Sequence, residues 1–170
     1  MTRAEPEHVI RTAADIADDE EIVVIGNQSI LGQFPDTPAS LRASVEAEVF
    51  PKNRPERVNL IDGSIGEGSP FHATYGYFAH GVDETTAMQI AGWRERLVAV
   101  RNPNTRGAAG GCLEVHDLVI AKAIAGRERD HELVREVIRH GLVDRATVLE
   151  RIERVPVDQR PATGREPPSR

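Results

Sequence analysis

Residues 44–50 read SVEAEVF, placing Glu46 and Glu48 two apart in a stretch that otherwise suits a β-strand. Strand residues two apart share a face. The two carboxylates would therefore stand side by side, with the Ser44 hydroxyl before them and Val45, Ala47 and Val49 behind. Such a pair suits a hard cation, Mg²⁺ or Mn²⁺, which takes oxygen from one or two carboxylates and fills its shell with water and substrate phosphates. The same pattern also suits an edge strand whose charges discourage aggregation.

Three further groups bear on phosphate chemistry. Gly26-Asn27-Gln28-Ser29 closes an apolar run and opens a short helical stretch. Backbone N–H groups at such a turn can face a phosphate, with Gly26 allowing close approach and Ser29 adding a hydroxyl; a glycine ending a strand before a helix is more often just a turn. Lys122 follows Val119 by three residues and Leu118 by four, so it borders an apolar helix face. It either reaches inward to a phosphate or snorkels to solvent. Asp130 either orients such a group or caps a helix. Residues 92–106 carry Arg94, Arg96, Arg101 and Arg106 against Glu95 alone. Guanidinium matches phosphate in shape and charge, which makes Arg94 and Arg96 nucleotide-binding candidates and, with PKNRPER, outlines a track for a triphosphate or RNA.

The elements that must position these groups follow from the apolar periodicity. A helix is expected over 6–19, a buried strand over 21–26, a short helix from 27 and a strand over 44–50. Residues 57–70 suggest a half-formed helix and a loop. Strands are expected over 71–82 and 96–102, with a flexible hinge over 105–111 and a last short strand at CLEV, 112–115. His72 and His80 could share a face of the 71–82 strand, with surface or turn positions the more common alternative. From His116 the pattern turns helical, with Gly126 and Gly141 at C-terminal positions and Asp144 as an N-cap. The proline-rich segment 156–170 reads as a disordered tail.

This order describes a small α/β (α+β) domain over 1–155, with a sheet core over about 21–114 flanked by helices and a helical part over 115–155. The 170 residues suffice for one domain. A single cysteine, Cys112, excludes an internal disulfide and a cysteine zinc cage. With no membrane-length apolar run and no signal-peptide pattern, a cytoplasmic protein without a membrane partner is expected. The net charge of −6 argues against a general nucleic-acid binder while permitting a local basic patch.

These pieces, in this order, resemble the minimal nucleotidyltransferase fold, and more particularly the AbiEii-type and MenT-type nucleotidyltransferase toxins of toxin–antitoxin systems. The resemblance rests on VVIGNQSILG, on SVEAEVF and on LEVHDLVIAKAIAGRERDHELVREVI; GVDETTAMQIAGWRERLVAV adds to it. It implies a small mixed β-sheet and a metal-dependent transfer of a nucleotide from an NTP to an acceptor such as the 3′ end of tRNA, with a cognate antitoxin as a further partner. By resemblance, Gly26 and Ser29 hold phosphates, Glu46 and Glu48 hold the metal, Ser44 lines the pocket, and Lys122 and Asp130 complete the catalytic set. Glutamates stand where aspartate-x-aspartate is usual, and Asn27 follows Gly26. Glu114, Asp83 and Asp62 are candidates for a third carboxylate. The alternative is a catalytically degenerate protein of that fold that binds a nucleotide or a partner.

Overall fold

Helix α1 (Ala4–Ala17) starts with Pro6 in its first turn and buries Val9, Ile10, Ala13 and Ala17. The computed structural model describes residues 1–86 and 90–160. Past α1, Asp19 accepts the backbone N–H groups of Glu21, Asn53 and Arg54. One carboxylate thus joins the start of the central strand to the far end of its neighbour.

Five strands form one mixed sheet. β1 (Glu21–Val24) lies in the middle, antiparallel to β2 (Glu46–Pro51) and parallel to β5 (Ala109–Cys112). β3 (Phe78–Gly81) runs parallel to β2, and β4 (Val98–Val100) antiparallel to β5, giving the order β3-β2-β1-β5-β4. The helices are α2 (Ile30–Gln33), α3 (Val58–Ile65), α4 (Pro70–Tyr75), α5 (Val115–Ala125), α6 (Glu128–Arg139) and α7 (Arg145–Glu153). The expected α+β architecture is the observed one.

Alternation along the strands builds a core on each face of the sheet. Ile22, Val24, Ala47, Val49 and Ala79 pack with α1 and α3. Val23, Ile25 and Phe50 pack with Leu118 of α5 and with Leu133 and Val137 of α6. Glu46 and Glu48 share the parity of Phe50, so β2 presents both carboxylates on the α5–α6 side.

Three expectations are corrected. Residues 71–82 do not form one strand: α4 occupies Pro70–Tyr75, with Ser69 accepting from the His72 N–H and Gly76 ending the helix at φ 78°. Phe71, Tyr75 and Tyr77 pack around His8, with ring centroids 4.7–6.0 Å from its imidazole, and Phe78 begins β3. His72 and His80 consequently share no strand face; His72 Nδ1 accepts from the Gly68 N–H at 3.0 Å. The expected hinge and the expected last strand are also displaced, because β5 is Ala109–Cys112 itself. Its glycines are required by packing: a Cβ at Gly110 would lie 2.4 Å from Ile10 Cδ1 of α1.

Of the segment expected to be a disordered tail, residues 161–170 lie outside the described residues, as do residues 87–89 of the 81–100 segment. Arg160 is placed: its guanidinium donates to the carbonyls of Val155 at 3.0 Å and Glu153 at 2.8 Å. Among the described residues no helix is long and apolar enough to cross a membrane.

Candidate functional site

The sheet positions Glu46 and Glu48 through the turn beside them. The Ile25 N–H donates to the Glu48 carbonyl at 3.0 Å, so the end of β1 is held against β2. Gln28 Nε2 then donates to the Ser44 carbonyl at 2.9 Å, fixing the residues just before β2. Gly26 lies directly against Glu48: a Cβ there would meet Glu48 Cδ at 2.9 Å and Cβ at 3.0 Å. The glycine is needed for this close approach, not for a special dihedral, since its φ is −81°.

Opposite the strand stand α5 and α6. Lys122 and Asp130 are both buried, with Nζ 3.6 Å from Oδ1. Arg127, at the start of α6, gives its Nε to Asp130 Oδ2 at 2.7 Å, and its backbone N–H donates to the same oxygen at 3.2 Å. Burial works against the Asp130 charge. The Arg127 hydrogen bonds and the nearby Lys122 and Arg127 cations outweigh it and hold the carboxyl below the usual carboxylate range. Asp130 also holds the Arg127 guanidinium above its ordinary pKa, with smaller contributions from Glu48 and Glu46.

Between these walls is an open cleft of ≈ 730 Å³, into which Asn27, Ser44, Glu46, Glu48, Lys122 and Asp130 all project. Segments separated by nearly a hundred residues thus converge on one concave surface. Arg127, Arg129, Glu132 and Glu136 from the start and length of α6 also line it, as do Glu67 and Phe78. Arg127 was not among the residues singled out from the sequence, standing in a helical stretch where acids match the arginines in number. Its signal was the Arg-x-x-Asp spacing: Arg127 is the N-cap and Asp130, the third helical residue, accepts its backbone N–H. The place of His80 at the site was missed as well. In β3, His80 is the register partner of Glu48 and its Nδ1 lies 2.8 Å from Glu46 Oε1. That pairing is visible only once the two strands are known to be neighbours.

Other candidates lie elsewhere. Ser29 is fully buried at the turn and does not line the cleft. Arg96 makes a two-pronged ion pair with the buried Asp117, at 2.8 and 3.0 Å, and a third bond to the Ala91 carbonyl. Arg94 pairs with Glu84 and lies over the Trp93 ring, 5.0 Å from its centroid. Neither arginine lines the cleft, and Arg101 and Arg106 border a different depression with Asp15, Asp18 and Asp19. The suggested arginine track is therefore dispersed. The third-carboxylate candidates are engaged in structure. Glu114 caps α5 and binds His116 and Arg151, Asp62 accepts from the Gly81 N–H at 2.8 Å, and Asp83 accepts from Thr85. Cys112 is buried, and burial pushes its thiol up to about 12, so it is no nucleophile at neutral pH.

The donor chemistry fits a hard divalent cation within limits. Glu46 and Glu48 offer oxygen from one strand face into the cleft. Among the described residues no group of three or more His, Cys, Asp or Glu side chains is arranged to hold a metal ion. A cation at the pair would take its remaining ligands from water and phosphate, as Mg²⁺ commonly does.

Comparison with protein-family models, with curated proteins and with solved structures gives no match.

Proposed function

We propose that the chain is a metal-dependent nucleotidyltransferase that moves an NMP from an NTP to an acceptor, RNA such as the tRNA 3′ end, and that it acts in the cytoplasm as the toxin of a toxin–antitoxin pair. The observation that carries the reading is that the Glu46–Glu48 pair faces the buried Lys122 and the Arg127 guanidinium across one cleft. Carboxylates on one wall and cations on the other suit a triphosphate held through a divalent cation. The minimal nucleotidyltransferase fold is part of the proposal, supported by the mixed sheet and by the turn after β1 lying against Glu48.

In this reading Glu46 and Glu48 hold Mg²⁺ or Mn²⁺, which when bound neutralises phosphate charge and polarises the reacting phosphorus. Lys122 and Arg127 bind phosphate oxygens and stabilise the charge that builds on the departing pyrophosphate. At the strand end, Asn27 of the turn after β1 lines the cleft beside the triphosphate, while Gly26 lies behind it against Glu48. The acceptor hydroxyl oxygen forms a bond to the α-phosphorus as the bond to the bridging α–β oxygen breaks. The hydroxyl proton passes to a cleft carboxylate and pyrophosphate leaves. Asp130 positions Lys122 and Arg127.

The test is transfer of label from each of the four α-labelled NTPs to bacterial RNA with Mg²⁺, by wild type and by the Glu46→Ala/Glu48→Ala double variant. Label with wild type only, together with growth arrest on expression that the double variant relieves, is the expected result. The absence of label from all four NTPs would overturn the transferase. The binding-module reading has an observation in its favour: Glu46 already bonds His80, and Lys122 is paired with Asp130. It predicts nucleotide binding without transfer.

A further inference from the structure

The cleft is charged differently along its length, and α6 sets the gradient. Its N-cap and first turn supply Arg127 and Arg129 beside Lys122; the following turns supply Glu132, Leu133 and Glu136 to the same lining. A triphosphate is repelled by the carboxylate end and attracted by the cationic one. From Arg127 to Glu136 is nine residues, about 13 Å along a helix, comparable to a nucleoside triphosphate measured from γ-phosphate to base edge. Resting on the transferase reading, we infer that α6 acts as a ruler for the nucleotide, and that Glu136, positioned by Ser40, reads its base by accepting from an exocyclic amino group.

The far end of the cleft is polar. Leu41 and Leu133 border it but are 2% and 7% exposed, so Ser40, Glu132 and Glu136 are the groups a base would meet there. Ser40 Oγ crosses from the segment before β2 to donate to Glu136 Oε2 at 2.9 Å, closing that end. Arg139 Nη1 and His140 Nε2 each lie 3.4 Å from the same carboxylate, on its own helix. These contacts orient the carboxylate while leaving its side chain 28% exposed and open to a ligand. A carboxylate only accepts hydrogen bonds. Adenine, cytosine and guanine each offer an amino group at the pairing edge. Uracil offers two carbonyl oxygens there, one on each side of its single N–H, and these would face the carboxylate unfavourably.

The experiment is equilibrium binding of ATP, CTP, GTP and UTP with Mg²⁺ to the full chain, followed by the same series with Glu136→Gln and Ser40→Ala. UTP is expected to bind about tenfold or more weakly than the other three, the discrimination one good base-edge contact carries. Glu136→Gln presents both a donor and an acceptor and should bring UTP within about threefold of the rest. Ser40→Ala should narrow the gap part-way. The ratio between nucleotides is the readout, because a general loss of folding or phosphate binding leaves it unmoved. Equal binding of all four by wild type, or unchanged discrimination in Glu136→Gln, overturns base reading and leaves the transferase standing. Binding of none of the four overturns both.

Discussion

At the level of single residues the site depends on a methylene-sized gap. Gly26 has no side chain where Glu48 passes, and its φ is one any residue adopts, so Gly26→Ala adds volume without backbone strain. The contacts include Glu48 Cβ at 3.0 Å, which moves only with its strand, so the expected stability cost is about 1–3 kcal/mol, the range for overpacking. The expected cost to cation-dependent nucleotide binding is larger, because Glu48 must leave its place. Calorimetric binding and thermal melts on the same variant separate the two; an equal loss in both would show that Gly26 matters only for folding. Asp130 makes a second prediction, in pH. Its folded-state pKa lies below the unfolded value of about 3.9. Its ion pairs therefore contribute their full stability above that value and lose it as pH falls through the folded-state pKa. Asp130→Asn should be less stable at pH 7 by about 1–3 kcal/mol. The gap should close as urea denaturation is repeated toward pH 3, and a constant gap would show that the charge is not what stabilises the pairing.

At the level of elements, α5 is locked at its N-terminus by a buried polar network. Asp117, 1% exposed, accepts from Arg96 before β4 and from Arg151 Nη1 of α7 at 3.1 Å; Glu114 accepts from Arg151 and His116. His116 Nε2 in turn accepts the Asp144 N–H at 2.8 Å, fixing the start of α7. Arg96→Ala leaves the buried Asp117 with Arg151 as its remaining cation and should cost about 1–3 kcal/mol, measurable as a lower urea midpoint. Arg96→Lys should recover only part, since an ammonium cannot reproduce the two-pronged contact. Strong nucleotide-binding loss in Arg96→Lys at unchanged stability would restore the phosphate role suggested by its charge. This arginine shows what sequence alone hides: its partner lies 21 residues away, so a run of arginines looks like a free patch until the pairing is seen. Glu46, Glu48, Lys122 and Asp130 were legible because strand alternation and helix spacing are local, and local rules say which face a residue takes. The strands themselves were less so. β5 carries Gly110 and Gly111, whose reason is the close passage of Ile10 and Leu97, and α4 hid behind aromatic residues with strand preference despite its Ser-Pro start.

At the level of the whole molecule, the two cores share one sheet. β1 gives Ile22 and Val24 to the α1–α3 side and Val23 and Ile25 to the α5–α6 side, so neither core survives loss of the central strand. The cleft draws β2 and the turn after β1 from the sheet and α5 and α6 from the helical part, so its geometry requires both. Unfolding should therefore be one cooperative transition. Trp93, the single tryptophan, is buried on the α5–α6 side and reports that core by fluorescence, while far-UV circular dichroism reports helices on both faces. The two urea transitions should coincide. A nucleotide with Mg²⁺ bound in the cleft at a hundred times its Kd should shift both upward together by about 2.7 kcal/mol, the stabilisation that linkage gives at that saturation. A shift confined to the tryptophan signal would mean that α5–α7 fold as a separate unit, and that the sheet contributes less to nucleotide binding than Glu46 and Glu48 require.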